Sequence, residues 1–203
     1  MLDMRTVWAD RAAQVKSNTA LTPWLKRGAC APRLVSDVQR IGPGSVDPRI
    51  KNYHWLDMVQ ALFQAYERGG ETALLVDAAG DVAEGPGFNV FAVVGGVLVT
   101  PETGVLEGIS RRTVIELARA AALPVRVAAL PVRVAALPVA TLRAADEIFL
   151  SSTGGGVIAV SHLDGQAVGG RRAGEFGPVT GRLQQAYWAL HDDPRWTEAV
   201  VYG

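Results

Sequence analysis

The sequence predicts a mixed α/β domain in which local β-hairpins are combined with three main helices. Apolar residues recur at helical spacing after residue 55, and short apolar runs typical of buried strands follow from residue 73. Gly95-Gly96 separates two such runs, which is a hairpin signal. The resulting order is helix, three strands, helix, two or more strands, helix. A dinucleotide-binding fold would instead alternate strands and helices strictly.

The composition is that of a globular protein. Of the 203 residues, 49% are hydrophobic and 20% are charged, enough for one large domain or two small ones. Twenty basic residues balance twenty acidic ones, which argues against nucleic acid or an anionic membrane as a partner. A single cysteine, Cys30, excludes an internal disulfide framework. With no signal-peptide pattern and no apolar run of about 18 residues, we expect a cytoplasmic protein.

The first long helix follows a turn-forming connector at residues 42–48. Its predicted apolar face consists of Leu56, Val59, Leu62, Phe63 and Tyr66, and Gly69-Gly70 is its expected end. Upstream, a short helical pattern covers residues 5–16, and Thr22-Pro23 and Gly28 break it.

Three short strands and a second helix come next. Residues 73–77 read as a buried strand that ends in a turn at residues 77–81, and residues 89–94 and 97–100 form the predicted hairpin. Ser110 is the expected N-cap of a helix over residues 111–122. The predicted apolar face of that helix consists of Val114, Ile115, Ala118 and Ala122.

A heptad is duplicated after this helix. Leu123–Ala129 is repeated as Leu130–Ala136, and two copies are too few for a solenoid. We therefore expect the duplication to lengthen one β connection, with a loop or bulge taking up the extra residues. Further on, residues 147–150 predict a strand, Asp164-Gly165 a hairpin turn, and residues 179–191 a last helix.

Four features could carry chemistry, and each also has an ordinary structural explanation. Lys51 is either a solvated surface group or, if partly buried, an amine capable of Schiff-base chemistry. Glu84 either decorates a turn or pairs with a buried cation. The segment from Gly108 to Arg111 and the turn from Ser151 to Gly156 could each bind an anion or serve as a cap and a turn. No metal site is expected, because His54, His162 and His191 are far apart.

Taken together, these features resemble the class IV, or fold-type IV, pyridoxal-phosphate-dependent aminotransferases. The resemblance is strongest to (R)-selective amine transaminases and branched-chain aminotransferase-like proteins, and it runs from about Leu34 to the end of the chain. The segments that carry it are Val46–Trp55, Glu84–Val90, Gly104–Arg111, Asp146–Gly155 and Tyr187–His191.

The resemblance implies the large cofactor-binding domain of the D-amino acid aminotransferase-like fold, which binds pyridoxal 5′-phosphate. Lys51 would form the Schiff base and move the proton between substrate and cofactor, and Glu84 would face the pyridine nitrogen. Leu106 would pack on the ring. Ile109, Ser110 and Thr153 would hold the phosphate, and Gly154 and Gly155 would leave room for the substrate. The implied reaction transfers an amino group between an amino acid or amine and a 2-oxo acid in a homodimer.

The chain also departs from the family pattern. Pro86 stands where a small residue is usual, and the duplicated heptad lies between two phosphate-binding segments. Family members carry an N-terminal domain of about a hundred residues that supplies a phosphate-binding arginine, and we expect it to be largely missing here. We therefore divide the chain into a stub (residues 1–33), a linker-like segment (34–50) and a cofactor-binding domain (51–203). An inactive family member and an aminodeoxychorismate lyase-like enzyme stay open as alternatives.

Overall fold

A computed structural model describes residues 31–120, 131–171 and 175–198 of the chain. Within these residues nine strands form one mixed sheet. Seven of them follow the order β2-β1-β8-β7-β4-β5-β6, while β3 pairs with β4 and β9 with β8. The pairs β1–β2, β1–β8 and β5–β6 are parallel, and the other pairs are antiparallel. The predicted mixed α/β class is confirmed.

The predicted elements occur in the expected order, and the structure adds a strand before the first helix, a two-residue strand before the predicted hairpin and a short helix before residue 147. The strands are β1 (Ala31–Gln39), β2 (Thr72–Val76), β3 (Glu84–Gly85), β4 (Phe88–Val94), β5 (Val97–Thr100), β6 (Val132–Val134), β7 (Glu147–Ser152), β8 (Gly156–Leu163) and β9 (Gln166–Ala167). The helices are α1 (Leu56–Glu67), α2 (Ile109–Arg119), α3 (Val139–Arg143) and α4 (Pro178–Ala189), and short 3₁₀ turns follow β9 and α4. None of these helices, within the part of the chain that the structure describes, is long and apolar enough to cross a membrane.

The sheet is buried on both faces. Along β4, Val90 and Ala92 join one apolar cluster, and Phe91 and Val93 join the other, because successive side chains of a strand point to opposite faces. The second cluster includes α2 and α4, and in it Phe91 stacks on Phe149 at a centroid distance of 4.8 Å. Central strands covered on both faces hold the ends of β4 and β7 rigidly beside each other.

The predicted hairpin is confirmed. Gly95 and Gly96 join β4 to β5 with φ values of 55° and 79°. Both central residues of a type I′ turn need positive φ, which glycine adopts without strain. The hairpin at Asp164-Gly165, the strand at the start of β7 and the last helix are also present.

The predicted apolar face of α1 is wrong. Its buried residues are Met58, Ala61 and Ala65, which pack on β2, whereas most of the predicted face is exposed: Leu56, Val59, Phe63 and Tyr66. Two stripes of α1 have helical spacing, and periodicity does not say which one faces the sheet. The alanine stripe allows close approach to Ala73 and Leu75, and so the larger side chains point outward.

The predicted cap of the second helix is also wrong. Gly108 is the N-cap of α2, and Ser110 is already a helical residue whose hydroxyl makes no capping bond. Gly108 lies so close to Asn89 that a Cβ there would be 2.6 Å from Asn89 Oδ1. This contact fixes the turn two residues earlier than expected. The predicted apolar residues Val114, Ile115 and Ala118 are buried.

Some expectations fall outside the described residues. These are the helix at residues 5–16, Ala122, and the first copy of the heptad. From the second copy, Val132–Val134 forms β6, which pairs with β5. The predicted linker-like segment, residues 34–50, begins within β1, a strand that lies between β2 and β8 in the sheet. The division into stub, linker and domain stays a prediction.

Candidate active site

A cavity of about 360 Å³ opens where the start of β4 lies beside the end of β7. It is lined by the end of β1, the turn before α1, the β3–β4 hairpin, the start of α2 and the end of β7. These elements bring together six residues that the sequence singled out: Lys51, Glu84, Leu106, Ile109, Ser110 and Thr153. Gly154 and Gly155 belong to the turn after β7, next to Thr153, but are not among the residues that line the cavity. Residues that lie up to 102 positions apart in sequence thus line the same cavity.

Glu84 is the centre of a buried polar cluster, which we call the acid wall: Arg40, Glu84, Asn89 and Leu106. Glu84 Oε1 accepts a bond of 3.2 Å from Arg40 Nε, and Oε2 accepts one of 2.9 Å from the Leu106 amide. Asn89 Nδ2 lies 3.5 Å from Oε2 and 2.8 Å from the Leu106 carbonyl. Glu84 is only 4% exposed, and so its orientation is fixed. The alternative in which Glu84 pairs with a buried cation is the correct one.

Burial raises the pKa of Glu84, and the Leu106 amide and Arg40 oppose that rise without cancelling it. Asp57 behaves in the opposite way. Burial alone would raise the pKa of Asp57, but hydrogen bonds from the Ile41 amide, Arg40 and the Met58 amide together lower it. A carboxyl group that holds its proton more readily than usual therefore lines the cavity beside a fixed cation.

Arg40 is a functional candidate that sequence reasoning missed. Its NH1 lies 2.7 Å from Asp57 Oδ2, so the guanidinium bridges two carboxylates while only 6% of Arg40 is exposed. The available signal was Asp57 in the first turn of a helix, together with an arginine directly after a strand. Neither residue carried a pattern of its own.

Lys51 lies in a different setting, which we call the lysine segment: residues 48–55. Lys51 itself is exposed, with its side chain on the cavity. The hydrogen bonds of its neighbours are local: the His54 amide donates to Asn52 Oδ1, Trp55 Nε1 donates to the Asn52 carbonyl, and Arg49 bonds to Asp47. Tyr53 is 99% exposed. The partly buried lysine considered from the sequence is not observed.

The start of α2 supplies the donors for an anion. The first amides of a helix have no partner within it, and the helix dipole favours negative charge at this end. Ile109 and Ser110 occupy these positions on the cavity wall, and Thr153 faces it from the end of β7. Gly155 serves a packing purpose, since a Cβ there would lie 2.3 Å from Ile158 Cδ1.

The turn that contains Pro86 is well formed. Gly85 pairs with Phe88 across β3 and β4, which leaves Pro86 and Gly87 as the two turn residues. Gly87 has a φ of 83°, and proline followed by such a glycine suits a type II turn.

Comparisons with known proteins give a consistent result. A family model described as amino-transferase class IV matches residues 11–163. A branched-chain-amino-acid aminotransferase of Escherichia coli K12 is 33% identical over 160 residues, which cover 77% of this chain and 48% of that protein. A putative branched-chain-amino-acid aminotransferase of Methanocaldococcus jannaschii is 32% identical over 152 residues, covering 74% of this chain and 49% of the relative. The chain spans about half the length of these relatives.

Solved structures with the same fold include branched-chain aminotransferases. The enzyme from Thermobaculum terrenum in its PLP form has a TM-score of 0.76 and 31% identity, over 86% of this chain and 56% of that one. The enzyme from Thermoproteus uzoniensis with norvaline has a TM-score of 0.72 and 28% identity, over 83% and 54% respectively.

Proposed function

Since the chain belongs to the class IV aminotransferase family, we propose that its cavity binds pyridoxal 5′-phosphate. We further propose that the protein transfers an amino group between an amino acid or amine and a 2-oxo acid. Several relatives named branched-chain-amino-acid aminotransferases support a branched-chain amino acid as one donor. Gly154 and Gly155, next to the cavity, stay the predicted substrate contacts.

The observation that carries this proposal is that three kinds of polar group meet at one cavity. Lys51 supplies an amine, Glu84 a buried carboxyl group, and the start of α2 a group of backbone amides. These match in kind the aldehyde, the pyridine nitrogen and the phosphate of the cofactor. Gly108, Ile109 and Ser110 at the start of α2 all line the cavity. The residues present therefore fit the group.

The roles of the residues follow from their chemistry. The cofactor, when bound, would act as an electron sink for the substrate carbon. Lys51 Nζ would hold the cofactor covalently and then carry a proton to and from the substrate. Glu84, fixed by Arg40 and the Leu106 amide, would keep a proton on the ring nitrogen. Leu106 would pack on the ring, and Ile109, Ser110 and Thr153 would bind the phosphate.

Absorption spectroscopy tests cofactor binding directly. Purified protein mixed with pyridoxal 5′-phosphate should gain the band of a covalently bound lysine adduct, and Lys51→Ala should lack it. Lys51→Arg is the matched control, because it keeps the charge without the reactive amine. If wild type shows no such band, the proposal is wrong.

Turnover assays then separate the remaining alternatives. Wild type with the band should move an amino group from a donor panel to pyruvate or 2-oxoglutarate. A band without turnover would favour an inactive family member, and pyruvate release from aminodeoxychorismate would favour a lyase.

We also propose that two copies associate through the outer face of α1. Leu56, Phe63 and Tyr66 are 72%, 62% and 53% exposed and form a contiguous apolar stripe beside the cavity. Sedimentation velocity should show a dimer that Phe63→Asp weakens, while Glu67→Gln on the same helix leaves it unchanged. A monomer at all concentrations would contradict this. The cytoplasmic location stays a prediction.

A further inference from the structure

Tyr187 joins two parts of the cavity that belong to different elements. It lies on α4, and its hydroxyl donates a hydrogen bond of 3.1 Å to Ser110 Oγ at the start of α2. Its ring packs on Gly156, the first residue of β8 and the end of the turn that contains Thr153. Gly156 has a φ of 59°, and a Cβ there would lie 3.1 Å from two ring atoms of Tyr187.

The position of Tyr187 is itself fixed. Glu147 on β7 accepts hydrogen bonds of 3.0 Å and 2.7 Å from the amides of Val179 and Thr180, which anchors the start of α4. Leu183 and Ala186 bury the same helix against the sheet. Tyr187 therefore approaches Ser110 from a rigid element.

The bond to Tyr187 decides what the Ser110 proton can do. A serine hydroxyl has one proton to donate and two lone pairs to accept with. Hydroxyl residues inside helices often donate back to a carbonyl of the preceding turn, as Thr113 does to the Ile109 carbonyl at 3.1 Å. Ser110 instead accepts from Tyr187, and its own proton remains for an acceptor in the cavity.

We propose that Tyr187 is a positioning residue that orients the Ser110 hydroxyl toward the phosphate of the cofactor and holds the α2 and Thr153 parts of the phosphate site together. This inference rests on the proposed function, because it assumes that the cavity binds pyridoxal 5′-phosphate. It adds a residue from a helix that does not itself line the cavity.

The test compares two ligands that differ only in the phosphate. Dissociation constants for pyridoxal 5′-phosphate and for pyridoxal are measured by absorption titration of wild type, Tyr187→Phe, Ser110→Ala and the double variant. Phenylalanine keeps the ring packing on Gly156 and removes only the hydroxyl. Thr197→Val, which removes an exposed hydroxyl that bonds to the Asp193 carbonyl, is the matched control.

Tyr187→Phe should weaken pyridoxal 5′-phosphate binding by about three- to tenfold, the range for one lost hydrogen bond, and leave pyridoxal binding unchanged. The double variant should bind no more weakly than Ser110→Ala, because the Tyr187 hydroxyl acts through the Ser110 hydroxyl, which Ser110→Ala already removes. The inference would be overturned, with the proposed function left intact, if Tyr187→Phe left the ratio of the two dissociation constants unchanged. Additive effects of Tyr187→Phe and Ser110→Ala in the double variant would overturn it in the same way. A wild type that binds neither ligand would overturn the proposed function and the inference with it.

Discussion

The acid wall and the lysine segment face the same cavity but are held in place in different ways. In the acid wall, Glu84 takes bonds from Arg40 and Leu106, residues 44 and 22 positions away, and is nearly inaccessible to solvent. In the lysine segment, hydrogen bonds join residues two or three positions apart, as from the His54 amide to Asn52. The sheet orders one side, and local turns order the other.

This difference indicates which half of the site is preorganised. A carboxylate bound by long-range hydrogen bonds keeps its geometry for as long as the sheet is intact, whereas a segment held by local turns can adjust without disturbing the core. We expect the same kind of substitution to cost stability on the acid wall and almost none on the lysine segment.

The largest difference in stability should separate two arginine–aspartate pairs, one on the acid wall and one beside the lysine segment. Arg40→Met should lower the free energy of unfolding by about 3–5 kcal/mol, because Glu84 and Asp57 would stay buried without their shared cation. Arg49→Met removes the exposed bridge to Asp47 and should shift the urea midpoint only slightly. Equal unfolding midpoints for the two variants would contradict the contrast.

A smaller effect should separate two glycines. Gly108→Ala should lower the free energy of unfolding by about 1–3 kcal/mol, since the added Cβ would lie 2.6 Å from Asn89 Oδ1. The clash would push the Asn89 side chain away from the Leu106 carbonyl that it bonds to. Gly44, in the turn leading to the lysine segment, has open space around the Cβ position, and Gly44→Ala should be neutral or slightly stabilising. Thermal denaturation of both variants measures the difference, and a loss at Gly44 as large as at Gly108 would refute it.

The smallest effect should be a difference in pH dependence. Because burial raises the folded-state pKa of Glu84, stability should fall as pH rises from the ordinary value of 4.5 through the folded-state value. The advantage of wild type over Glu84→Gln should shrink across that window. The Arg49 side-chain hydrogen bond lowers the pKa of Asp47, so its contribution is lost as pH falls below 3.8 through the lowered value.

Urea unfolding across the two pH windows measures both slopes. Added salt should weaken the Asp47 effect, which depends on an exposed pair, and leave that of Glu84 largely intact. An advantage over Glu84→Gln that grows with pH would show that the folded-state pKa of this group is lowered instead.

Local signals made much of the fold predictable. Two glycines with positive φ specify the β4–β5 hairpin, and alternation along β4 puts Phe91 and Val93 on one face. The six cavity-lining residues were found through short segments whose order matches a known family. Such signals work because each depends on backbone conformation or chemistry within a few residues.

The errors came from contacts that local spacing does not contain. Whether α1 buries its alanine stripe or its larger side chains depends on how closely β2 allows the helix to approach. The cap of α2 is set by Asn89, which lies 19 residues before Gly108. Arg40 and Tyr187 act through partners 44 and 77 positions away. No window along the chain shows such pairs.

The place of β1 in the sheet has a consequence for how the protein is made. β1 lies between β2 and β8, and the Val35 amide bonds to Asp164, which is 129 residues later. At ribosomal speeds of about 5–20 residues per second, β2 is synthesised soon after β1. β8, which pairs with the other edge of β1, follows roughly ten seconds later. During that interval an unpaired strand edge is available to other chains. Synthesis order, and not final stability, should therefore set when this protein is most prone to aggregate.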